Sequence, residues 1–291
     1  MQNCDLPAIY RSADAGSNNS QAQYLRTIRS EYAMLSMLAL LGEFRGEHDA
    51  VVISMILIMI LLFGLLIFRF VSKLDRKWYA CRALAESVKT SAWKFSMRAH
   101  PFDSAENLHE PVRNFLTSIS QIRSDNEFIG NNLDASFSDK DQITEKMFST
   151  RNLGLDDRIQ FYLDSRIREQ RNWYAKKSTW NANRRKFWFG FSVLSYIFAA
   201  VVLLSEEFGG PDLTWGFSFL IVIVTSSFGW IQVKRHGELA ASYTLTAHEI
   251  GSIQALAIGI SDETELSEFV NAAEFAFSRE HTQWQARRDF G

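Results

Sequence analysis

The chain has 291 residues, 47% hydrophobic and 22% charged, with a formal net charge of -2 and a mean hydropathy of -0.11. Both signs of charge are interspersed, which excludes the basic surface that direct nucleic-acid binding needs. The hydropathy is too low for a protein built wholly within a bilayer, so much of the mass is expected outside it. The two cysteines, Cys4 and Cys81, have no metal or redox spacing, and a disulfide framework is not expected.

The first 30 residues are polar and have no apolar stretch of the kind a cleavable signal needs, and the first 23 are rich in Ser, Asn, Ala and Gln. They read as a flexible tail, 1–23. The next segment is ambiguous. Tyr32 to Gly42 has about 11 uncharged residues, roughly 16 Å of helix, too short to span alone. Extended over 28–46 it reaches spanning length, with Arg29, Glu31, Glu43 and Arg45 at the interfaces. Val51 to Phe68 is unambiguous, because no charge interrupts it. About 20 apolar residues cross a ~30 Å hydrocarbon core, and a backbone in lipid must satisfy its own hydrogen bonds, so this run predicts a transmembrane helix over about 50–70. If 28–46 pairs with it, the basic flanks of both helices share one side, and a hairpin is the favoured reading.

Asp75 to Ala99 has no Pro or Gly and predicts a helix ended by Pro101. Residues 103–154 carry Pro111, Gly130 and an Asn-Asn pair and predict a more broken helical connector. Asp156 to Lys186 has helical spacing and runs without a breaker into a second uncharged run, Phe187 to Ser205. A third, Leu213 to Val233, follows after a turn holding Glu206, Glu207 and Asp212. Arg184, Arg185 and Lys186 precede this pair, and Lys234 and Arg235 follow it. The positive-inside rule therefore sends the turn outward and both termini to the cytoplasm. Beyond, Leu239, Tyr243, Ala247, Ile250, Ile253 and Ala257 mark one face of a helix, and Asp262 with Glu265 resembles a capping box opening a last helix to about Arg287. The fold class expected is all-α, with about four transmembrane helices in two hairpins and long helices extending into a cytosolic bundle.

Four constellations carry chemistry. The motif R-x-W-Y-A occurs at Arg76–Ala80 and at Arg171–Ala175, placing Trp78-Tyr79 and Trp173-Tyr174 either in packing between cytosolic helices, the favoured reading, or at a membrane interface. Arg82, Glu86 and Lys89 share a helical face as an ion-pair ladder or, less favoured, as a site for an anionic ligand. Within the membrane runs the polar inventory is Ser192, Ser195, Tyr196, Thr225, Ser226 and Ser227. Ser195-x-x-x-Ala199 and Thr225-x-x-x-Gly229 are small-xxx-small pairs, suited to helix packing or, with the hydroxyls turned inward, to a pore built from several chains. The lack of an intramembrane acid or base argues against a pump or ion-coupled carrier. Glu268, Glu274 and Glu280 read as surface acids on a helix, and the adjacent pairs His248-Glu249 and Glu280-His281 point to different faces, so no metal site is expected. No catalytic or phosphate-cradling motif is present, and neither an enzyme nor a cofactor is expected.

Asp75 to Thr90 (DRKWYACRALAESVKT), Trp93-Lys94-Phe95 and Pro101-Phe102 resemble one subfamily of the SLATT domains. Phe161 to Ile167, Gln170, Trp173-Tyr174, Asn181, Ala241-Ser242-Tyr243, Ala247 to Ile250, Phe269 to Glu274 and Ser278 to Trp284 resemble a second. The resemblance implies a first module over 24–102 and a second over 155–291. Trp78, Tyr79, Arg82, Glu86, Lys89, Trp173, Tyr174, Tyr243, Glu249, Glu274 and Glu280 would be its signature residues, structural or gating. It further implies a membrane-perturbing effector of a bacterial anti-phage system in the inner membrane. Its partners would be the lipid bilayer, further copies of the chain in a homo-oligomer, and a nucleotide-signal synthase or nucleotide-sensing protein.

Overall fold

The computed structural model describes residues 1–46, 48–104, 107–209 and 216–289, with the side chains of 127, 128, 131, 206 and 279–289 left aside. Every regular element among these residues is helical. The long helices are α1 (Ala8–Glu43), α2 (Asp49–Ser72), α3 (Leu74–Ser96), α4 (His109–Ser124), short α5 (Glu145–Arg151) and α6 (Leu155–Tyr162). A π-helical turn at Leu163–Arg168 joins α6 to α7 (Glu169–Glu207), and α8 (Phe217–Lys234), α9 (His236–Ala255) and α10 (Glu263–Asp289) complete the order. The residues divide into two compact units.

The first unit comprises Met1–Gln21, Asp75–Lys177 and Ser242–Gly291. It has two apolar cores, and α3 lies in both. Cys81, Leu84, Ala85, Val88, Ala92 and Phe95 recur at helical spacing and pack with Leu6, Tyr10 and Ala13, with Phe115 and Ile119 of α4, and with Met147 of α5. Trp93, on another face of α3, and Met97 just beyond its end pack with Tyr162, Ile167 and Tyr174, and with Ile250, Ile253, Val270 and Phe277 of α9 and α10. The polar N-terminus is thus part of the fold rather than the flexible tail expected of 1–23. Its small residues explain why. Ala8, Ser12, Ala13, Ser17 and Ser20 are buried, and a Cβ on Gly16 would stand 2.5 Å from the Asn132 carbonyl and 3.3 Å from Cys81 Sγ. The broken stretch 103–154 likewise fills the first core instead of merely connecting. The expected cap of the last helix is present: Asp262 accepts from the Glu265 N–H at 2.9 Å, and Glu265 accepts from the Ser261 N–H at 2.7 Å.

The second unit comprises Ala22–Leu74 and Ser178–Ala241. The helices holding α2, α7 and α8 are each long and apolar enough to cross a membrane. In α2 the apolar side chains are turned outward: Ile58 is its one buried residue, whereas Phe63, Leu66 and Phe70 stand exposed. Soluble proteins rarely leave so large an apolar surface uncovered, and lipid is the environment that suits it. The C-terminal part of α1 runs antiparallel to α2, fixed by the Arg69–Glu31 ion pair at 2.7 Å, so the first hairpin exists as a fold element. That part of α1 is not among the three long apolar helices. The expected start of the last membrane helix at Leu213 lies outside the described residues; α8 begins at Phe217.

Two breaks match. Helix α2 is capped by Lys73 and α8 by Arg235, both left-handed (φ 46° and 45°), and a new helix begins at the next residue in each case. A non-glycine residue there carries a steric cost of about 1–2 kcal/mol.

A buried ion-pair network as candidate functional site

In the first unit the π turn accepts an extra residue into the helix, and Arg166 and Ile167 on it are both buried. Arg166 forms a forked pair with Glu274 of α10: Nε donates to Oε1 at 2.8 Å and Nη2 to Oε2 at 2.7 Å. The Tyr162 hydroxyl donates to Oε1 at 2.9 Å and the Thr90 hydroxyl to Oε2 at 3.0 Å. Glu274 is 0% exposed and Arg166 2%, so two full charges sit in the core with four hydrogen bonds to one carboxylate. Such saturation offsets the large desolvation cost of each ion. The guanidinium also lies 4.5 Å from the Phe277 ring centroid and 5.9 Å from that of Trp93. Against the burial that opposes its charge, the Glu274 carboxylate raises the Arg166 pKa above the ordinary arginine value. Burial and the Glu274 charge push the Tyr162 phenol well up, so it stays a donor.

Two further buried guanidiniums belong to the same unit. Arg158 is buried, donates to the Met97 carbonyl at 3.2 Å and pairs with Glu263. Arg151 donates to the Phe95 carbonyl at 2.7 Å and to the Ser104 carbonyl at 3.0 Å. Burial, with Arg98 and Arg158 nearby, pushes its pKa down to about 10, leaving it charged at neutral pH. These arginines tie backbone carbonyls near the end of α3 and the loop beyond it to α5 and α6.

The sequence treated Glu274 as a surface acid, and the structure overturns that. Val270, Ala273 and Phe277 on α10 are buried on the same side, so Glu274 interrupts an apolar stripe, a signal available in the sequence. Arg166, Tyr162 and Thr90 were not singled out as site residues. Tyr162 and Arg166 do fall inside the quoted Phe161–Ile167 motif, but their partner lies 108 to 112 residues away.

The remaining signature residues belong to the same unit. Arg82 pairs with Glu86 at 2.8 Å, as the ladder expected, and approaches Asp14 of α1 at 3.6 Å. The Lys89 ammonium lies 6.0 Å from the Tyr10 ring centroid, and burial followed by the Arg166 charge lowers its pKa. Trp78 stacks on Tyr79 with centroids 4.6 Å apart. Trp173 and Tyr174 both meet Tyr243, at 5.6 Å and 5.5 Å, so the second Trp-Tyr pair packs between α7 and α9. Glu249 is half-buried on α9, and the Glu280 side chain lies outside the described residues.

The intramembrane candidates behave differently. Ser192, Ser195 and Ser227 each donate to the carbonyl four residues back on their own helix, and Thr225 does the same at 2.9 Å. Ser192 and Ser227 are buried, Ser195 is half-buried and Thr225 is exposed. The Tyr196 ring lies 6.0 Å from that of Phe228. Each small-xxx-small pair contributes its second member to packing: Ala199 is buried, and Gly229 lies directly under the Tyr32 hydroxyl. Ser226 lines a cavity in the second unit.

Comparison with known proteins places this arrangement. Residues 7–159 match SMODS and SLOG-associating 2TM effector domain 3, and residues 162–284 match SMODS and SLOG-associating 2TM effector domain 1. The first match includes both the N-terminal segment and the 103–154 stretch. No curated protein and no solved structure matches the chain. With three apolar helices and two such matches end to end, the chain belongs to the SMODS and SLOG-associating 2TM effector (SLATT) family, as a tandem of two of its different domains.

Proposed function

We propose that this protein is a non-catalytic effector of a bacterial anti-phage system that oligomerises and permeabilises the inner membrane when its helical soluble part is triggered. The trigger is a nucleotide signal or a partner that produces or senses one. In this reading the chain crosses the membrane four times, with 28–46 as the short first span and both termini cytoplasmic. The observation that carries it is the continuity of α7, which holds Trp173 and Tyr174 at one end and the apolar run to Glu207 at the other. A helix without a break transmits rotation or translation, and a trigger acts by binding one arrangement better than the other.

Dye and ion efflux from liposomes carrying the purified protein, with cyclic nucleotides or infected-cell extract added, tests the reading. Triggered leakage is expected. Proline at position 182 removes a backbone donor from the middle of α7, costs about 3 kcal/mol of helix, and should uncouple trigger from leakage. A folded Ala182→Pro protein that leaks like the wild type would refute the lever.

One observation favours a second reading, a non-conducting membrane scaffold that recruits a soluble partner. The hydroxyls of Ser192, Ser195, Thr225 and Ser227 are engaged by their own helices, so they do not need a pore. Silence in the efflux assay from an inserted oligomer would select it.

A further inference from the structure

The second unit contains a cavity of 570 Å³ whose described lining includes three tryptophans and three strong cations and no acid. Arg29 comes from α1, Trp180, Arg184 and Trp188 from α7, and Trp230 and Lys234 from α8. Two of these cations face one ring: Arg29 Cζ is 5.2 Å and Lys234 Nζ 5.6 Å from the Trp230 centroid. Arg184 Cζ is 5.4 Å from the centroid of Trp180. Rings hold a cation without neutralising it, so these contacts leave the charge of Arg29 and Arg184 for a ligand. Glu31, the acid nearest in sequence to Arg29, is engaged by Arg69 at 2.7 Å.

The cavity wall is built rather than accidental. His236 and Asn181 are both 3% exposed, and His236 Nδ1 lies 2.7 Å from Asn181 Oδ1. That bond fixes the imidazole at the cavity wall, where Trp180 meets it edge-on at 5.5 Å. Beyond the cations the lining becomes apolar, through Phe191 and Ile223, with the Ser226 and Ser227 positions between.

Place in the sequence fixes the depth. Arg184 lies just before the apolar run of α7, Lys234 just after that of α8, and Arg29 at the start of the short run of α1. The cations therefore collect at one end of three helices, where headgroups lie, while the apolar wall extends toward the hydrocarbon. Basic pockets between membrane helices at this depth suit phosphate headgroups, and tryptophans suit the same layer. A volume of this order holds a headgroup.

We propose that this cavity is a binding site for the headgroup of an anionic phospholipid. Its phosphate sits among Arg29, Arg184 and Lys234, and its acyl chains follow the exposed apolar faces of α7 and α8. A soluble phosphate compound shares the charge but has nothing to place along Phe191 and Ile223. The proposal rests on α7 and α8 lying in a bilayer, and does not depend on triggering or conduction.

Native mass spectrometry of the purified full chain in detergent, with phosphatidylglycerol, cardiolipin, phosphatidylcholine, ATP and inorganic phosphate each added, tests it. Retention of phosphatidylglycerol or cardiolipin at least tenfold above phosphatidylcholine is expected, with neither ATP nor phosphate displacing it. Arg29 and Arg184 are exposed side chains, so Arg29→Gln with Arg184→Gln should fold normally and lose that tenfold preference; Arg184→Gln alone should lose part of it. Equal retention of phosphatidylcholine, unchanged preference in the double variant, or displacement by ATP or phosphate would overturn the proposal. Because retention is read without any trigger, its failure leaves the efflux reading intact, and a silent efflux assay leaves retention intact.

Discussion

Helices α2 and α3 follow one another with a single residue between them, and they solve opposite problems. Helix α2 is made of large apolar side chains that the protein leaves uncovered: Phe70 is 79% exposed and Leu61 55%. Helix α3 has a more polar sequence, yet Cys81, Leu84, Ala85, Val88, Ala92 and Phe95 are all 0% exposed. Hydrophobicity alone would rank them in the wrong order for burial. Spacing gives the right order, because α3 arranges its apolar residues in stripes for two cores, whereas α2 is apolar all round and needs lipid. The same contrast governs polar groups. The first unit buries a carboxylate under four donated hydrogen bonds, while the hydroxyls of Ser192, Ser195, Thr225 and Ser227 turn back to their own helices.

The sharpest way to break this contrast is to unbalance the buried pair. Glu274→Ala leaves Arg166 charged and unpaired in the core, and a loss of about 3–5 kcal/mol is expected in chemical unfolding followed by a signal from the first unit. Replacing both residues with apolar ones of similar size should recover much of it; a mild effect of Glu274→Ala would mean that water reaches Arg166. Matched truncations come next. Leu84→Ala in α3 should cost about 2–5 kcal/mol, and Leu61→Ala in α2 less than about 1 kcal/mol in detergent, since its surroundings are solvent already. Comparable losses would mean that the face of α2 is covered, as by a second copy.

Close packing in the membrane unit is tested by Gly229→Ala, where the new methyl meets the Tyr32 hydroxyl and an overpacking cost of about 1–3 kcal/mol is expected in thermal unfolding. Tyr32→Phe combined with it should restore part of the stability. The smallest effect belongs to the junction itself. Lys73→Gly relieves the left-handed backbone and should raise stability by up to about 1 kcal/mol, less the entropy that glycine adds to the unfolded chain. A destabilised variant would show that the Lys73 side chain, rather than the turn, matters.

The sequence made the three long apolar runs legible because an absence of charge over so many residues leaves few alternatives. Helix α3, the unbroken run into α7 and the start of α10 were legible from breakers and caps. The N-terminal segment was not, because Ser, Ala, Asn and Gln look unstructured by composition, and their use here is to let α1 approach α3 closely. The Arg166–Glu274 network was half legible. Glu274 stands in an apolar stripe, but nothing local names an arginine on a π turn as its partner. The residues of the cavity in the second unit are scattered over three segments, and its cations read only as orientation and interface signals.

The double role of α3 has a consequence for how such a protein can be divided. The two family matches meet near residue 160, yet Trp93, Met97 and Ala99 from the first are buried in a core whose other buried members come from the second, and Thr90 supplies one of the four donors on Glu274. Cutting the chain between the matches would separate two sequences without separating two domains, and each half would expose a wall meant for the other. The covalent tandem fixes their stoichiometry at one to one, so two unlike modules arrive together, in equal number, as a single unit of assembly.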